Sequence, residues 1–181
     1  MRLSLVLLLA LTLTACGFKL LGSGGWPQQL DRVYVDMALG YRVSEPVVET
    51  ALRSKLVRRG AKIVTKLDKA ETEIRLSNLE ERRETLSIGA DGKVLEYRLV
   101  IGVRYELLQN GKALLPANTI SVSRDYSFQL DQILQKELEE QQLRDYIQNE
   151  LAELVLLRIT TGLEALPKVE VAPAQVVPAS N

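Results

Sequence analysis

The most constraining feature of the sequence is a long stretch in which apolar and polar residues alternate. From Leu95 to Leu107 every second residue is apolar or aromatic, and Val100 is the one large apolar residue between them. A period of two is that of a β-strand with one buried face and one exposed face. The stretch is followed by Asn110-Gly111, and because both residues tolerate positive φ they favour a two-residue hairpin turn. The sequence therefore predicts a long antiparallel hairpin.

The chain on both sides of this strand is also predicted to be extended. After the turn, apolar residues alternate with polar ones to Phe128, with Arg124 breaking the apolar face and Pro116 indicating a sheet edge or a bulge. Before the strand, Glu73–Ile88 is predicted to be extended, although the alternation of apolar and polar residues shifts within the polar segment 78–84. A Gly-Ala-Asp-Gly turn follows it. Strands of about 14–16 residues far exceed the usual five or six. Each would reach about 50 Å.

A short strand and a helix are predicted ahead of these strands. Apolar residues on one side of Asp31–Met37 indicate the strand. The helix has Ser44 as its expected cap and Pro46 in its first turn, where the missing N–H costs little. It is expected to end at Arg58-Arg59-Gly60, with cations in its last turn and glycine after the cap.

A second helix is predicted after the strands. Asp131 is its expected cap, and apolar residues at helical spacing continue to Thr161, with Gly162 as the stop signal. About thirty residues span about 45 Å as a helix, which matches the strands. The predicted fold class is therefore α+β: a four-stranded, mostly antiparallel sheet with long strands and two helices packed on one face.

The N-terminal segment carries a secretion and lipidation signal. Leu3–Leu13 is too short to span a bilayer but has the length and composition of a signal-peptide core. The next residues complete Leu13-Thr14-Ala15-Cys16, which resembles the lipobox of bacterial lipoproteins, whose cysteine carries a diacylglyceryl group. We therefore expect Cys16 to be lipidated. The predicted organisation is a signal peptide at 1–15, a lipidated tether at 16–30, one α+β domain at 31–164 and a disordered tail at 165–181.

Composition excludes several classes of function. Lys and Arg balance Asp and Glu at 23 each, which argues against a nucleic-acid-binding protein. The chain has no histidine and one cysteine, so catalysis by a histidine base is excluded and a metal site or a cofactor is not expected. The remaining options for an enzyme are a Ser/Lys dyad or a carboxylate pair, and acidic pairs occur at Glu80-Glu81 and Glu139-Glu140. Adjacent residues point to different sides of a strand or helix, and both segments are predicted to be solvated.

The segment that begins at Cys16 resembles the opening of a known family. Cys16-Gly17-Phe18-Lys19-Leu20-Leu21-Gly22 is similar to the Cys-Gly-Phe/Trp-x-Leu-x-Gly opening of the LptE lipoproteins, and the order of elements to about Leu166 is similar too. Family members often have a basic residue where Leu21 stands. The resemblance implies a non-enzymatic subunit that plugs the LptD barrel and assists delivery of lipopolysaccharide to the outer leaflet. Gly17, in place of an aspartate after the cysteine, favours the outer membrane.

The resemblance also suggests cations that could contact the phosphates of lipopolysaccharide. The candidates are Lys93, Arg82, Arg83 and Lys136, and for each the alternative is an ordinary solvated charge. The uncovered face of the sheet likewise has two interpretations: a solvated face, or a surface for a hydrated partner such as the lumen of a barrel. A further alternative is an accessory lipoprotein of another envelope lipid-transport complex.

Overall fold

The computed structural model describes residues 25–40, 44–127 and 133–167, with side chains from residue 137 onward in the last range. The predicted signal peptide, Cys16, most of the tether, the Asp131 cap and the tail from residue 168 lie outside the described residues. Within the described part, no helix is both long enough and apolar enough to span a membrane.

The domain is built on one mixed sheet of five strands in the order β2-β1-β3-β4-β5. The strands are β1 (Arg32–Ala38), β2 (Lys62–Ile63), β3 (Thr72–Ile88), β4 (Val94–Gln109) and β5 (Lys112–Ser127). The α+β class is confirmed, whereas the prediction of four mostly antiparallel strands is wrong in detail. β1 runs parallel to both β2 and β3, because a helical crossover follows it, and β2 is too short to show a period.

The three long strands form the predicted antiparallel meander. Asn110 and Gly111 have φ of 51° and 74°, as the two-residue hairpin requires. The predicted slip in β3 is an irregularity after Ser77, where Asn78 adopts a φ of 47°. Pro116 lies in the edge strand β5 at a second irregularity of the pairing. The N–H that proline lacks therefore interrupts no hydrogen bond between strands.

Two α-helices complete the domain: α1 (Val47–Arg58) lies between β1 and β2 in sequence, and α2 (Ile133–Ala165) follows β5. The predicted Ser44 cap is wrong, because the N-cap residue is Pro46, in extended backbone and without a side-chain bond. Gly60, with a φ of 102°, follows the C-cap of α1 as predicted. Gly162 does not stop α2. It lies inside the helix, where a Cβ would come within 2.9 Å of Leu115 Cδ1, so the glycine permits a close approach to β5.

Both helices pack on the same face of the sheet around one apolar cluster. β1 contributes alternate residues such as Val33 and Val35, α1 contributes Leu52 and Leu56, and the rest comes mainly from β4 and α2. Burial of each such side chain stabilises the fold by about 1.5–3 kcal/mol. Neither α-helix covers the opposite face of β3, β4 and β5, where the segment 67–70 lies beside the buried Glu73 and Leu108 at one end. We call that side the open face.

The Asn110-Gly111 turn allows the geometry of the hairpin between β4 and β5 to be tested. Replacing Gly111 with alanine puts a Cβ on a residue with positive φ and should lower the free energy of unfolding by about 1 kcal/mol. Gly40→Ala is the matched control, since Gly40 has no atom within 4 Å of its Cβ position and its φ is not positive. Urea unfolding of both variants measures the difference. Equal stability of the two would contradict the hairpin geometry.

Candidate functional site: the open face and the hairpin tip

The open face is formed by alternate residues of the three long strands. On β4 these are Glu96, Arg98, Gly102, Arg104 and Glu106, the set that the alternation predicts. Their cross-strand partners are mainly charged on β3 and small and hydroxylated on β5, as in Ser121 opposite Gly102 and Ser123 opposite Val100. The face is therefore polar over most of its length, with Val100 as the apolar residue in the middle of β4.

Several charges of the open face are paired, some across strands and some along one strand. Arg98 donates to both carboxylate oxygens of Asp125, at 2.7 and 3.0 Å, and these hydrogen bonds hold the pKa of Asp125 below its ordinary value. Arg75 forms ion pairs with Glu73 at 2.9 Å and with Glu106 at 3.1 Å. Opposite charges alternate over the surface, so the face has no strong net sign and suits a hydrated, mixed-charge partner.

The turn between β3 and β4 forms an amphipathic end of the molecule, the hairpin tip (residues 86–95). Three apolar side chains are unusually exposed there: Leu86 at 39%, Ile88 at 62% and Leu95 at 49%. Beside them, the exposed ammonium of Lys93 lies 3.2 Å from Asp91. A tip with apolar side chains and a cation can contact an amphiphile that has an anionic head.

The predicted cationic residues are not brought together in one patch. Arg82 lies on the open face, where its nearest acidic partner is Glu84 at 3.9 Å. Arg83, the next residue of the strand, points to the helix side and stacks over the ring of Tyr97 at 4.7 Å. Lys93 is about 20 Å further along the hairpin than Arg82, at six residues of strand. Lys136 belongs to α2, and its side chain lies outside those described.

Arg83 belongs to a polar cluster between the sheet and α2 that the sequence did not predict. We call it the Glu140 cluster: Glu81, Arg83, Tyr97, Tyr126, Glu140 and Arg144. The Tyr126 hydroxyl donates to Glu140 Oε2 at 2.8 Å, and burial together with this bond raises the pKa of Tyr126 to about 12. Arg144 donates to Glu81 at 2.6 Å and also to Glu140, which lies 3.5 Å from Arg83.

The expectation that Glu139-Glu140 is solvated is wrong for Glu140, which is buried. One sequence signal pointed to such contacts: Arg124, which breaks the apolar face of β5. It donates to Glu150 of α2 at 2.5 Å and lies over the ring of Tyr146. A cation on the helix side of a strand requires an acidic partner on the helix, and that reasoning extends to Arg83 and Glu140.

The opposite end of the domain contains a shallow groove of about 370 Å³. It lies beside the Asn110-Gly111 turn, far from the hairpin tip. Two of its carboxylates are engaged, Glu71 by Arg32 at 3.0 Å and Glu73 by Arg75. Across the described ranges, no three His, Cys, Asp or Glu side chains are grouped as metal ligands.

Comparison with known proteins agrees with this architecture. The family described as "LptE: Lipopolysaccharide-assembly" matches residues 30–159. The LPS-assembly lipoprotein LptE of Pectobacterium atrosepticum is 29% identical over 160 residues, which cover 87% of this chain and 84% of that protein.

Solved structures share the fold. Lipoprotein B of Nitrosomonas europaea, solved in solution, matches with a TM-score of 0.66 and 27% identity, over 82% of this chain and 94% of that one. The rare lipoprotein B of Shewanella oneidensis matches with a TM-score of 0.60 and 23% identity, over 72% and 94% of the two chains. With the family match extending over more than half of its residues, this chain belongs to the LptE lipopolysaccharide-assembly family.

Proposed function

We propose that this chain is a non-enzymatic outer-membrane lipoprotein that occupies the lumen of the LptD barrel, helps that barrel to assemble, and assists delivery of lipopolysaccharide to the outer leaflet. The observation that carries the proposal is the open face: about 50 Å of mixed charge, part of it paired, that neither helix covers. The lumen of an outer-membrane barrel is polar and hydrated, so the charges of such a face can stay hydrated against it.

The layout of the domain supports an oriented insertion. The start of the described chain lies at one end, where Thr72 donates to Gln29 O at 2.7 Å. The C-terminal part of α2 reaches the same end, because Gly162 lies against Leu115 near the start of β5. The hairpin tip is at the other end of the long strands. An anchor at Cys16 would therefore hold one end at the inner leaflet, while the tip extends toward the far side of the barrel.

The carboxylates support the non-enzymatic part of the proposal. Glu80 and Glu81 occupy opposite faces of β3, since their β4 partners are Gly102 and Ile101. Glu140 accepts from Tyr126 and Arg144, and it is not available as a free acid or base. Neither pair has the facing arrangement that a two-carboxylate mechanism uses.

Direct contact with lipopolysaccharide is proposed for the hairpin tip. Lys93 would bind a phosphate by a charge-assisted hydrogen bond, while Ile88 and Leu95 contact acyl chains. Arg82 could extend the cationic surface along the open face, and Lys136 remains a candidate from the sequence. Arg83 is a weaker candidate, because its guanidinium is already engaged by Glu140 and Tyr97.

Charge reversal tests this contact. We expect Lys93→Glu, combined with Lys136→Glu, to weaken capture of labelled lipopolysaccharide by the full chain in detergent about tenfold, since two charged hydrogen bonds are lost. Lys112→Glu is the matched control, because Lys112 is an exposed lysine at the other hairpin turn. Unchanged capture by the double variant, or equal loss in the control, would contradict a role for the tip.

Co-purification tests the proposed partner and separates it from the alternative, an accessory lipoprotein of another lipid-transport complex. A tagged chain isolated from detergent-solubilised outer membrane should elute with one large barrel protein, identified as LptD by mass spectrometry, in a complex that persists through size exclusion. Recovery of the chain alone, or with a different set of envelope proteins, would reject the plug.

A further inference from the structure

The two halves of α2 are held to the sheet by different kinds of contact. From Ile147 onward the helix buries apolar side chains, which are Ile147, Leu151, Ala152, Val155, Leu156, Ile159 and Leu163. In the preceding segment 137–146 the only buried side chain is the charged Glu140, while Leu138 is 65% exposed and Tyr146 57%. Leu143 is the partly buried apolar residue of this segment that packs against the core, so the segment is attached mainly by polar contacts.

Those contacts converge on one carboxylate. Glu140 accepts a hydrogen bond from the Tyr126 hydroxyl, is bonded by Arg144 from its own helix, and lies 3.5 Å from Arg83 of β3. Arg144 also reaches back to the sheet through Glu81 at 2.6 Å. Ion pairs with partly exposed members are weakened by salt and by competing ions, whereas apolar burial is not.

The groups around Glu140 have the geometry of an anion-binding site, in which the Glu140 carboxylate of the chain itself occupies the place of the anion. Two guanidinium groups and a phenol hydroxyl surround the Glu140 carboxylate, a set of donors that recognises phosphate as well as carboxylate. Beneath it the rings of Tyr97 and Tyr126 lie 5.8 Å apart. Displacement of Glu140 would uncover these rings beside the freed Arg83 guanidinium and the Tyr126 hydroxyl, which is a surface suited to a phosphorylated amphiphile.

We propose that residues 137–146 form a latch that opens from the sheet while residues 147–165 stay packed, and that a phosphate-bearing ligand opens it by replacing Glu140 on Arg83 and the Tyr126 hydroxyl, which belong to the sheet, while Arg144 moves away with the latch. The identity of a natural ligand rests on the proposed function, since lipopolysaccharide carries phosphates. The latch itself follows from the change of contacts along α2 and is independent of any barrel partner.

Hydrogen exchange of the full chain in detergent, followed by mass spectrometry, tests the latch. We expect Glu140→Gln to speed exchange in peptides from 137–146 roughly tenfold, because a hydrogen-bonded charge is lost, and to leave 147–165 unchanged. Glu153→Gln is the matched control: Glu153 also pairs with cations, Lys55 at 3.0 Å and Arg59 at 2.7 Å, but in the half backed by the apolar core. Equal acceleration in both halves, or none in 137–146, would overturn the latch.

A second exchange experiment tests the ligand class. It uses the unmodified chain, so its result does not depend on how well a variant folds. Exchange is compared in sodium pyrophosphate and in sodium chloride at equal ionic strength. We expect pyrophosphate to speed exchange in 137–146 several-fold beyond chloride while 147–165 stays protected. Identical exchange in the two salts would overturn the assignment of a phosphate-bearing ligand. Because no lipopolysaccharide or barrel is present, this result is separate from the success or failure of the proposed function.

Discussion

The alternation of β4 is the constraint on which the rest of the structure depends. Its odd-numbered residues from Leu99 to Leu107 are buried under the helices, and its even-numbered residues form the middle of the open face. Because the side-chain period of a strand is two, a shift of one residue would bury Arg98 and Arg104 and expose the core. This one register therefore fixes which face α1 and α2 cover and which face is left for a partner.

The interface between sheet and helices changes character along the strands. At the end of the domain where the described chain begins and α2 ends, the interface is apolar, and each buried side chain contributes about 1.5–3 kcal/mol. Toward the hairpin tip it becomes a set of ion pairs around Glu140 and Glu150, each of which contributes less and is sensitive to salt. The end furthest from the proposed anchor is thus the most easily opened, and it is also the end with exposed apolar side chains and Lys93.

Sequence periodicity predicted the long strands, both hairpin turns and the two helices, because each depends on local pattern and turn chemistry. It missed features that depend on distant neighbours. The sequence indicates brief extended chain at Ala61–Thr65, but the place of β2 in the sheet depends on its pairing with β1; Gly162 has the signature of a helix end but is needed for contact with Leu115. Glu140 has the sequence context of a solvated acid, and its burial depends on Tyr126 and Arg83 across the interface and on Arg144 of its own helix.

In the proposed function, the open face lies against the hydrated wall of a barrel rather than in bulk water. A photo-reactive amino acid at Ser121 or Ser123, both exposed on the open face of β5, tests this placement in intact cells. We expect a cross-link between this chain and one large outer-membrane barrel from both positions. Recovery of the barrel complex with no cross-link from either position would show that the open face is simply solvated and would reject this placement.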